Sequence, residues 1–264
     1  MDSSRGAGSW HLWTDATPRP GYTNMAVDLA LLDRTERSGA SWLRLYQWEP
    51  HCLSFGRNEP AARRYDAARI QRLGLPTVRR PTGGRAVWHA YELTYAVSSP
   101  TLCFSSAAEA YIEIHDMLRQ ALASIGVQGS LAPRLRRVGL EAGSCFSSAA
   151  GGEVLVQDSK VVGSAQLRRQ ACFLQHGSIM LQGNQSLVDS LRCAQSAPSP
   201  HVRGGIRVPL GRSVTPEEMA EAVARTATSR WASHWVRESH PDEVLDAAAR
   251  YFPRFRSAQW TWNR

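Results

Sequence analysis

The sequence contains almost no lysine. Its 31 lysine and arginine residues include a single lysine, Lys160, and every other cation is arginine. We attribute this bias to genomic base composition, so a lysine that persists against it marks a position where arginine will not serve. The lysine ammonium is a compact point charge that can approach a carbonyl or phosphate oxygen, whereas arginine is a planar fork that stays charged. Lys160 is therefore the first candidate for a functional cation.

Disulfide and zinc-binding patterns are also missing. The five cysteines, at positions 52, 103, 145, 172 and 193, are an odd number and include no CxxC pair. We expect free thiols, most of them small buried hydrophobic residues. Cys145 differs because it lies in a loop of small residues, GSCFS, rather than in an apolar run. A loop thiol near a cation would have a lowered pKa and a more nucleophilic thiolate.

The chain has no long apolar run. Its first ten residues contain no stretch that would serve as a secretory signal. The longest uncharged run near the middle, residues 170–188, includes a histidine, an asparagine and four glutamines, and is too polar to span a bilayer. We therefore expect a cytoplasmic protein without membrane contact, of ordinary globular composition.

Positive charge exceeds negative charge, giving a net charge of +8 and a pI near 9.7. The arginine pairs are scattered, and no zinc-finger, RNP-type or basic-zipper pattern is present, so nucleic-acid binding is the weakest interpretation. An acidic protein partner fits the charge equally well, because such a field steers association without fixing its target.

Hydrophobic spacing predicts the main elements. Helices are predicted over residues 24–37 with Thr23 as N-cap, 66–73, 107–125 with Gly126 as C-cap, and 216–231, which opens on a capping box at Thr215. Strands are predicted over residues 42–48, 52–55 and 172–181. Strands and helices do not alternate regularly, so we predict a single α+β domain, residues 1–264, with helices outside a mainly antiparallel or mixed sheet. Its core covers about residues 20–235, and a C-terminal tail begins at 236.

A pair of glycines, Gly83-Gly84, separates two strand-like runs in RRPTGGRAVWH, residues 79–89. Without Cβ atoms the backbone can approach a ligand closely. Arg80 and Arg85 lie on either side and would bracket an anionic or carbonyl group. A hairpin turn beside surface arginines is the alternative.

Lys160 opens a second segment, KVVGSAQ, residues 160–166. We place Lys160 at the tip of a hairpin between the apolar runs 154–156 and 161–162. The small residues after it would form a surface for a flat or linear substrate, and a solvated lysine is the alternative. His176 lies in a third segment, QHGS, residues 175–178, where a hydrogen-bonded core histidine is an equal alternative to a functional one.

Together these segments resemble the biotin/lipoate protein ligase superfamily, and within it the LipM-type octanoyltransferases. The motifs that carry the resemblance are RPTGGRAV (80–87), His89, ELTY (92–95), Cys145-Phe146, KVVGSAQ (160–166) and LQHGSI (174–179). Their order and spacing match over about residues 24–181. The resemblance implies the catalytic-domain fold of that superfamily, which is similar to class II synthetases, without the accessory domain of lipoate ligases.

Other branches of the superfamily match less well. Lipoate ligases activate a free acid with ATP and tend to have a third glycine where this chain has Arg85. LipB-type octanoyltransferases place their cysteine after the lysine, where this chain has only Cys172 on an apolar strand. Cys145 precedes Lys160, which is the LipM-like order, and the Gly-Arg-Gly-Arg-type loop of biotin ligases is missing. Residues 56–59, GRNE, look more ligase-like, so an ATP-dependent lipoate or octanoate ligase stays the alternative.

The resemblance implies transfer of octanoyl from octanoyl-acyl carrier protein to a lysine of an apo lipoyl-domain protein, with the glycine cleavage H protein as the expected acceptor. Cys145 would carry the acyl group as a thioester, and Lys160 would stabilise the oxyanion. We expect no metal and no cofactor; ATP and Mg²⁺ would be needed only in the ligase alternative. A catalytically silent acyl-binding or regulatory relative is disfavoured because Cys145 and Lys160 are both retained.

The resemblance also implies a set of substrate-binding residues. They are Arg80, Thr82, Gly83, Gly84, Arg85, Ala86, His89, Gly163, Ser164, Ala165, Gln175, His176 and Gly177. The small residues among positions 83–86 and 163–165 would line a narrow apolar tunnel, in which each buried methylene of the octanoyl chain contributes about 0.8 kcal/mol. His89 and His176 would supply shape and hydrogen bonds rather than proton transfer.

Overall fold

A six-stranded mixed sheet forms the centre of the protein. The computed structural model describes residues 8–133, 151–193, 205–231, 234–239 and 241–263. Its strands are β1 (Trp10–Thr14), β2 (Ser41–Tyr46), β3 (Cys52–Phe55), β4 (Thr77–Arg79), β5 (Val87–His89), β6 (Glu92–Pro100), β7 (Ser130–Leu131), β8 (Val154–Val156), β9 (Ser159–Lys160), β10 (Val162–Arg169), β11 (Cys172–Met180) and β12 (Trp235–Glu238). Its helices are α1 (Gly21–Ser38), α2 (Ala61–Arg64), α3 (Ala67–Arg72), α4 (Ala107–Ser124), α5 (Ser186–Ser190), α6 (Arg207–Leu210), α7 (Pro216–Arg230), α8 (Asp242–Ala248), α9 (Phe252–Arg256) and α10 (Ala258–Trp262). Within these described ranges, every helix is too short or too polar to cross a bilayer.

The central sheet has the strand order β10-β11-β6-β2-β1-β12. Strand β1 runs parallel to β2 and β12, whereas β6 pairs antiparallel with β2 and β11, and β10 pairs antiparallel with β11. Two smaller sheets have the orders β4-β3-β5 and β7-β8-β9. The predicted α+β class with helices around a mixed sheet is confirmed.

Helix α1 covers one face of the central sheet. Met25, Leu29 and Leu32 recur at i, i+4 and i+7 and are buried in one cluster with side chains of β2, β6 and β11. The helix starts three residues before the predicted position, and Pro20 is its N-cap. The prediction of Thr23 as N-cap is wrong, because the Thr23 N–H already donates to the Pro20 carbonyl (2.9 Å) within the first turn.

Helices α4 and α7 pack together in the second large cluster, with inward side chains of β6 and β11. The N-cap half of the predicted capping box is confirmed, since the Thr215 hydroxyl accepts from the Glu218 N–H (3.1 Å) at the start of α7. The Glu218 carboxylate pairs with Arg212. Helix α4 ends at the predicted place, although Ile125 is the C-cap and Gly126 follows it with φ 93°.

The hairpin that contains Lys160 differs from the prediction. Its turn is formed by Gln157 and Asp158, both with positive φ (48° and 60°), as two-residue hairpin turns require. Lys160 lies in β9 opposite Leu155, and its side chain is only 6% exposed. Placing Lys160 at the tip is therefore wrong, because the chain turns two residues earlier and returns Lys160 to the interior.

The C-terminal segment packs onto the rest of the chain. Helices α8 and α9 contact α1, and the Trp260 indole donates to the Arg79 carbonyl (3.0 Å). Arg79 Nε donates in turn to the Thr261 carbonyl (3.0 Å). Strand β12 belongs to the central sheet and crosses residue 236, so the sheet extends into the predicted tail.

Candidate active site

A narrow cavity of about 40 Å³ lies between α1 and the central sheet. The predicted site residues in its wall are Arg80, His89, Lys160, Gly163, Ser164, Ala165, His176 and Gly177. The rest of the wall consists of Met25, Tyr46, Trp48, Val87, Thr94 and Ser178. The structure thus brings the three sequence motifs around one cavity and adds Met25, Tyr46 and Trp48, which lie outside the quoted motifs.

The cavity runs across the strands of the sheet. Gly163 on β10 lies beside Ser178 on β11, Ser178 beside Thr94 on β6, and Thr94 beside Tyr46 on β2. Lys160 lies just before β10, at one end of this row. Three strand spacings of about 4.8 Å separate the two ends by about 14 Å. The wall therefore spans four neighbouring strands of the sheet, with Lys160 at the β10 side and Tyr46 on β2.

A buried carboxylate holds Lys160. Its Nζ lies 2.8 Å from Glu153 Oε2, and the two side chains are 6% and 2% exposed. Glu153 Oε1 accepts a hydrogen bond from the Tyr111 hydroxyl (3.1 Å). The opposite charge compensates an ammonium that the interior would otherwise disfavour. Lys160 can therefore present positive charge at the cavity wall from a fixed position.

A directed chain of hydrogen bonds fixes Ser164. Burial lowers the pKa of His115 to about 4, so the ring is neutral at pH 7. His115 Nδ1 donates to the Tyr111 carbonyl (2.6 Å), and Nε2 therefore accepts from the Ser164 hydroxyl (2.9 Å). Tyr95 donates to Ser164 Oγ (2.6 Å) and accepts from the Gln175 amide (3.0 Å). Ser164 therefore donates its hydroxyl proton to His115 Nε2 and accepts from Tyr95.

His176 lies between a carboxylate and a hydroxyl group. Its Nδ1 donates to Asp28 Oδ2 (2.8 Å), and its Nε2 lies 2.6 Å from Thr82 Oγ1. Asp28 also accepts from the Tyr46 hydroxyl (2.9 Å) and from Arg44 Nη1 (3.1 Å). This is the geometry expected of a histidine that shapes the cavity through hydrogen bonds.

His89 has a similar environment. Burial lowers the pKa of His89, and the neighbouring Glu92 opposes that shift in part. The neutral ring donates from Nδ1 to Glu92 Oε1 (2.6 Å) and accepts at Nε2 from the Ser54 hydroxyl (2.6 Å). Glu92 Oε1 also accepts from the hydroxyls of Thr94 and Ser178 (both 2.7 Å). One carboxylate oxygen thus ties together three residues of the cavity wall.

The Gly-Gly loop lies beside the cavity. The Arg80 guanidinium donates to three backbone carbonyls of this region, those of Ser54 (3.1 Å), Gly83 (3.1 Å) and Arg85 (2.7 Å). A Cβ on Gly56 would lie 1.8 Å from the Gly84 carbonyl oxygen, so only glycine lets the loop pack there. Packing against Gly84 therefore explains why Gly56, the first residue of the GRNE segment, is a glycine, and this explanation does not involve ATP.

Some predicted binding residues lie outside the cavity wall: Thr82, Gly83, Gly84, Arg85, Ala86 and Gln175. Thr82 and Gln175 support wall residues through the hydrogen bonds given above. Ala86 is buried in a separate cluster with Leu53 and Phe55. The small residues of the wall are those at 163–165 and Gly177, and substrate contact by the Gly-Gly pair, Arg85 and Ala86 stays a prediction.

Cys145 lies outside the described residues. The flanks of its segment meet beside the partner of Lys160, since the Ala132 N–H donates to the Glu153 carbonyl (2.7 Å) and the Gly152 N–H donates to the Ala132 carbonyl (2.8 Å). The cysteines that the structure does describe, Cys52, Cys103, Cys172 and Cys193, do not line the cavity. Burial raises the pKa of the Cys52 thiol well above its ordinary range.

Comparisons with known proteins identify the family and the fold of this chain. The lipoyl protein ligase A/B catalytic domain matches residues 20–228. Octanoyltransferase LipM of Moorella thermoacetica is 33% identical over 98% of this chain and 99% of its own length. LipM of Carboxydothermus hydrogenoformans is 39% identical over 61% of each chain. The solved structure of Ta0514, a putative lipoate protein ligase from T. acidophilum, has a TM-score of 0.75 at 16% identity and covers 97% of this chain and all of its own.

The family match and the fold define a protein with the biotin/lipoate ligase catalytic-domain fold. The chain belongs to the lipoyl protein ligase A/B catalytic-domain family, and within it to the LipM-type branch. It is an enzyme of the acyltransferase class. The predicted family and fold are thereby confirmed.

Sequence reasoning missed the buried groups that orient the site, namely Asp28, Glu92, Glu153 and His115. His115 had a usable signal, because it lies between Ile114 and Leu118 on the apolar face of α4, where a polar side chain needs a partner. Asp28 had none, because its partner His176 comes from a distant segment. Glu92 lies in the ELTY motif, three residues after its partner His89, and Glu153 lies seven residues before its partner Lys160, so both had a local signal.

Proposed function

We propose that this protein transfers an octanoyl group from octanoyl-acyl carrier protein to a lysine of a lipoyl-domain protein, through a thioester on Cys145. The observation that carries the proposal is the buried Lys160, paired with Glu153, in the wall of a cavity that residues of all three sequence motifs line. The choice of acyl group is supported by relatives that match over nearly their full length, which are octanoyltransferases.

The reaction needs two acyl transfers. The Cys145 thiolate attacks the carrier thioester carbonyl, a carbon–sulfur bond forms, and the carrier thiolate leaves. The lysine amine of the acceptor then attacks the new thioester, an amide bond forms, and the amine loses a proton as the Cys145 thiolate leaves. Exchange of one thioester for another is nearly neutral in energy, so ATP is not required.

Lys160 acts on the carbonyl oxygen in both steps. Each attack places negative charge on that oxygen, and a fixed cation beside it stabilises the transition state. Glu153 positions the ammonium, and the segment containing Cys145 begins and ends beside Glu153. Among the cysteines, Cys145 is the candidate nucleophile because its four described counterparts do not line the cavity.

The glycine cleavage H protein is the proposed acceptor, and the excess of arginine over acidic residues suits acidic carrier and lipoyl domains. The site of action is proposed to be the cytoplasm. The catalytic domain is proposed to act without an accessory domain, metal or cofactor.

The test is incubation with octanoyl-acyl carrier protein in the absence of ATP, followed by intact-mass measurement. We expect an octanoyl adduct that hydroxylamine removes and that Cys145→Ser does not form by this route. Lack of an adduct on the wild type, or an unchanged hydroxylamine-sensitive adduct on Cys145→Ser, would contradict the proposal. Consumption of free octanoate only with ATP would instead establish the ligase activity.

A further inference from the structure

We propose that Trp48 and His89 form a partition that sets the longest acyl chain this protein accepts. The inference rests on the proposed function and concerns the end of the cavity remote from Lys160. It assigns a specificity role to two ring systems that hold no reacting atom.

The partition separates two hollows. The narrow cavity and an open groove of about 220 Å³ have two lining residues in common, Trp48 and His89. The rings stack with their centroids 3.8 Å apart and their planes at 11°. Both residues are nearly buried, with 5% and 4% of their surface exposed. The stacked pair is therefore the part of the wall that faces both the cavity and the groove.

Hydrogen bonds hold both rings in place. Trp48 Nε1 donates to Thr94 Oγ1 (2.7 Å), and Thr94 donates to Glu92 Oε1 (2.7 Å). His89 donates to the same Glu92 oxygen (2.6 Å) and accepts from Ser54 (2.6 Å). Because each ring has a fixed partner, neither can turn aside without losing a buried hydrogen bond. An acyl chain that outgrows the cavity therefore meets a rigid wall.

The groove offers room beyond the partition. Leu181, Val214 and Pro216 line it on the far side. A methyl end that passed the wall would contact these apolar side chains in a groove that also contains the polar side chains of Gln47 and Gln182. Each methylene buried in this way raises kcat/KM by up to about fourfold.

Trp48→Leu tests the proposal by replacing the indole with a smaller apolar group. Transfer is measured with acyl carrier proteins charged with hexanoyl, octanoyl, decanoyl and dodecanoyl groups, at one concentration of lipoyl-domain acceptor. The wild type is expected to lose kcat/KM above octanoyl. In Trp48→Leu the ratio of dodecanoyl to octanoyl kcat/KM rises by about tenfold or more.

Trp42→Leu is the matched control. Trp42 lies on β2, is 1% exposed, and lines neither the cavity nor the groove. The variant loses a similar volume of buried indole, so it reports the general cost of such a loss. Its dodecanoyl to octanoyl ratio is expected to equal that of the wild type.

Val87→Phe carries the test if Trp48→Leu fails to fold. Val87 lines the cavity two residues before His89, so a larger side chain there shortens the space in front of the partition. The preferred chain is then expected to shift from octanoyl to hexanoyl. A folded Trp48→Leu, or a folded Val87→Phe, with the wild-type chain-length profile would overturn the partition. A wild type that transfers no acyl group of any length would overturn the proposed function instead.

Discussion

Lys160 illustrates how a buried site selects one kind of cation. Glu153 fixes the ammonium from one side, and the cavity of about 40 Å³ leaves little volume on the other. Arginine would keep the charge but add a planar group with a different set of donor directions. The compositional rarity of lysine in this chain therefore has a steric and electrostatic counterpart in the structure.

Lys160→Arg is expected to lower the rate of acyl-enzyme formation by about 10²–10³-fold, because the charge no longer meets the developing oxyanion. Rapid-quench measurement of the octanoyl adduct gives the rate. The control is Arg168→Lys, which replaces an arginine by a lysine at an exposed position of β10. It should leave the rate near that of the wild type. Full activity of Lys160→Arg would refute the argument from lysine scarcity.

His115 predicts a pH dependence of stability. Burial lowers its pKa from 6.5 to about 4 in the folded protein, so the folded state disfavours a proton that the unfolded chain accepts. The contribution of neutral His115 to the free energy of unfolding is fully present above about pH 6.5. It falls by about 3 kcal/mol in total as the pH decreases towards 4. Urea unfolding at several pH values measures this slope.

His115→Gln should remove much of that slope, whereas His51→Gln, at an exposed position, should preserve it. A slope in His115→Gln equal to that of the wild type would show that other groups cause the acid sensitivity.

The close pairing of the strands that line the cavity depends on small residues at opposing positions. Gly177 on β11 lies opposite Ser164 on β10. An added Cβ would lie 2.4 Å from Ser164 Oγ and 2.5 Å from the Gly163 carbonyl oxygen. Because both contacts are shorter than atoms allow, the two strands would have to separate at the point where they line the cavity.

Gly177→Ala is therefore expected to lower the free energy of unfolding by about 1–3 kcal/mol, as overpacking does, and to reduce octanoyl transfer. Gly83→Ala is the stability control, because a Cβ there meets no atom within 4 Å. If Gly83→Ala keeps its stability and still loses transfer activity, the predicted contact of Gly83 with substrate gains support. A Gly177→Ala protein as stable as the wild type would contradict the packing argument.

The sequence predicted the helices and strands better than it predicted which side chains of different elements contact each other. The 3.6-residue spacing of Met25, Leu29 and Leu32 was enough for α1, because one apolar face suffices to define a helix. The burial of Lys160 was not foreseen, because it depends on a turn two residues earlier. The bond between Asp28 and His176 joins residues 148 positions apart, and no local pattern encodes such a pair.

At the scale of the whole molecule, the net charge of +8 governs encounter rather than chemistry. We expect kcat/KM for acidic carrier-protein substrates to fall as ionic strength rises, because the Debye length shrinks from about 10 Å at 0.1 M to about 3 Å at 1 M salt. Steady-state rates over a salt series measure the effect. A small thioester, octanoyl-pantetheine, is the control and should show little salt dependence. Equal salt dependence of both substrates would exclude electrostatic steering.

The long-range bonds of the cavity wall also bear on protein synthesis. His176 reaches Asp28 across 148 residues, and Ser178 reaches Glu92 across 86. A growing chain on the ribosome therefore has no acyl pocket until β11 has emerged and joined β6. Because β10 and β11 supply the last part of the wall, synthesis must pass residue 180 before the cavity can form.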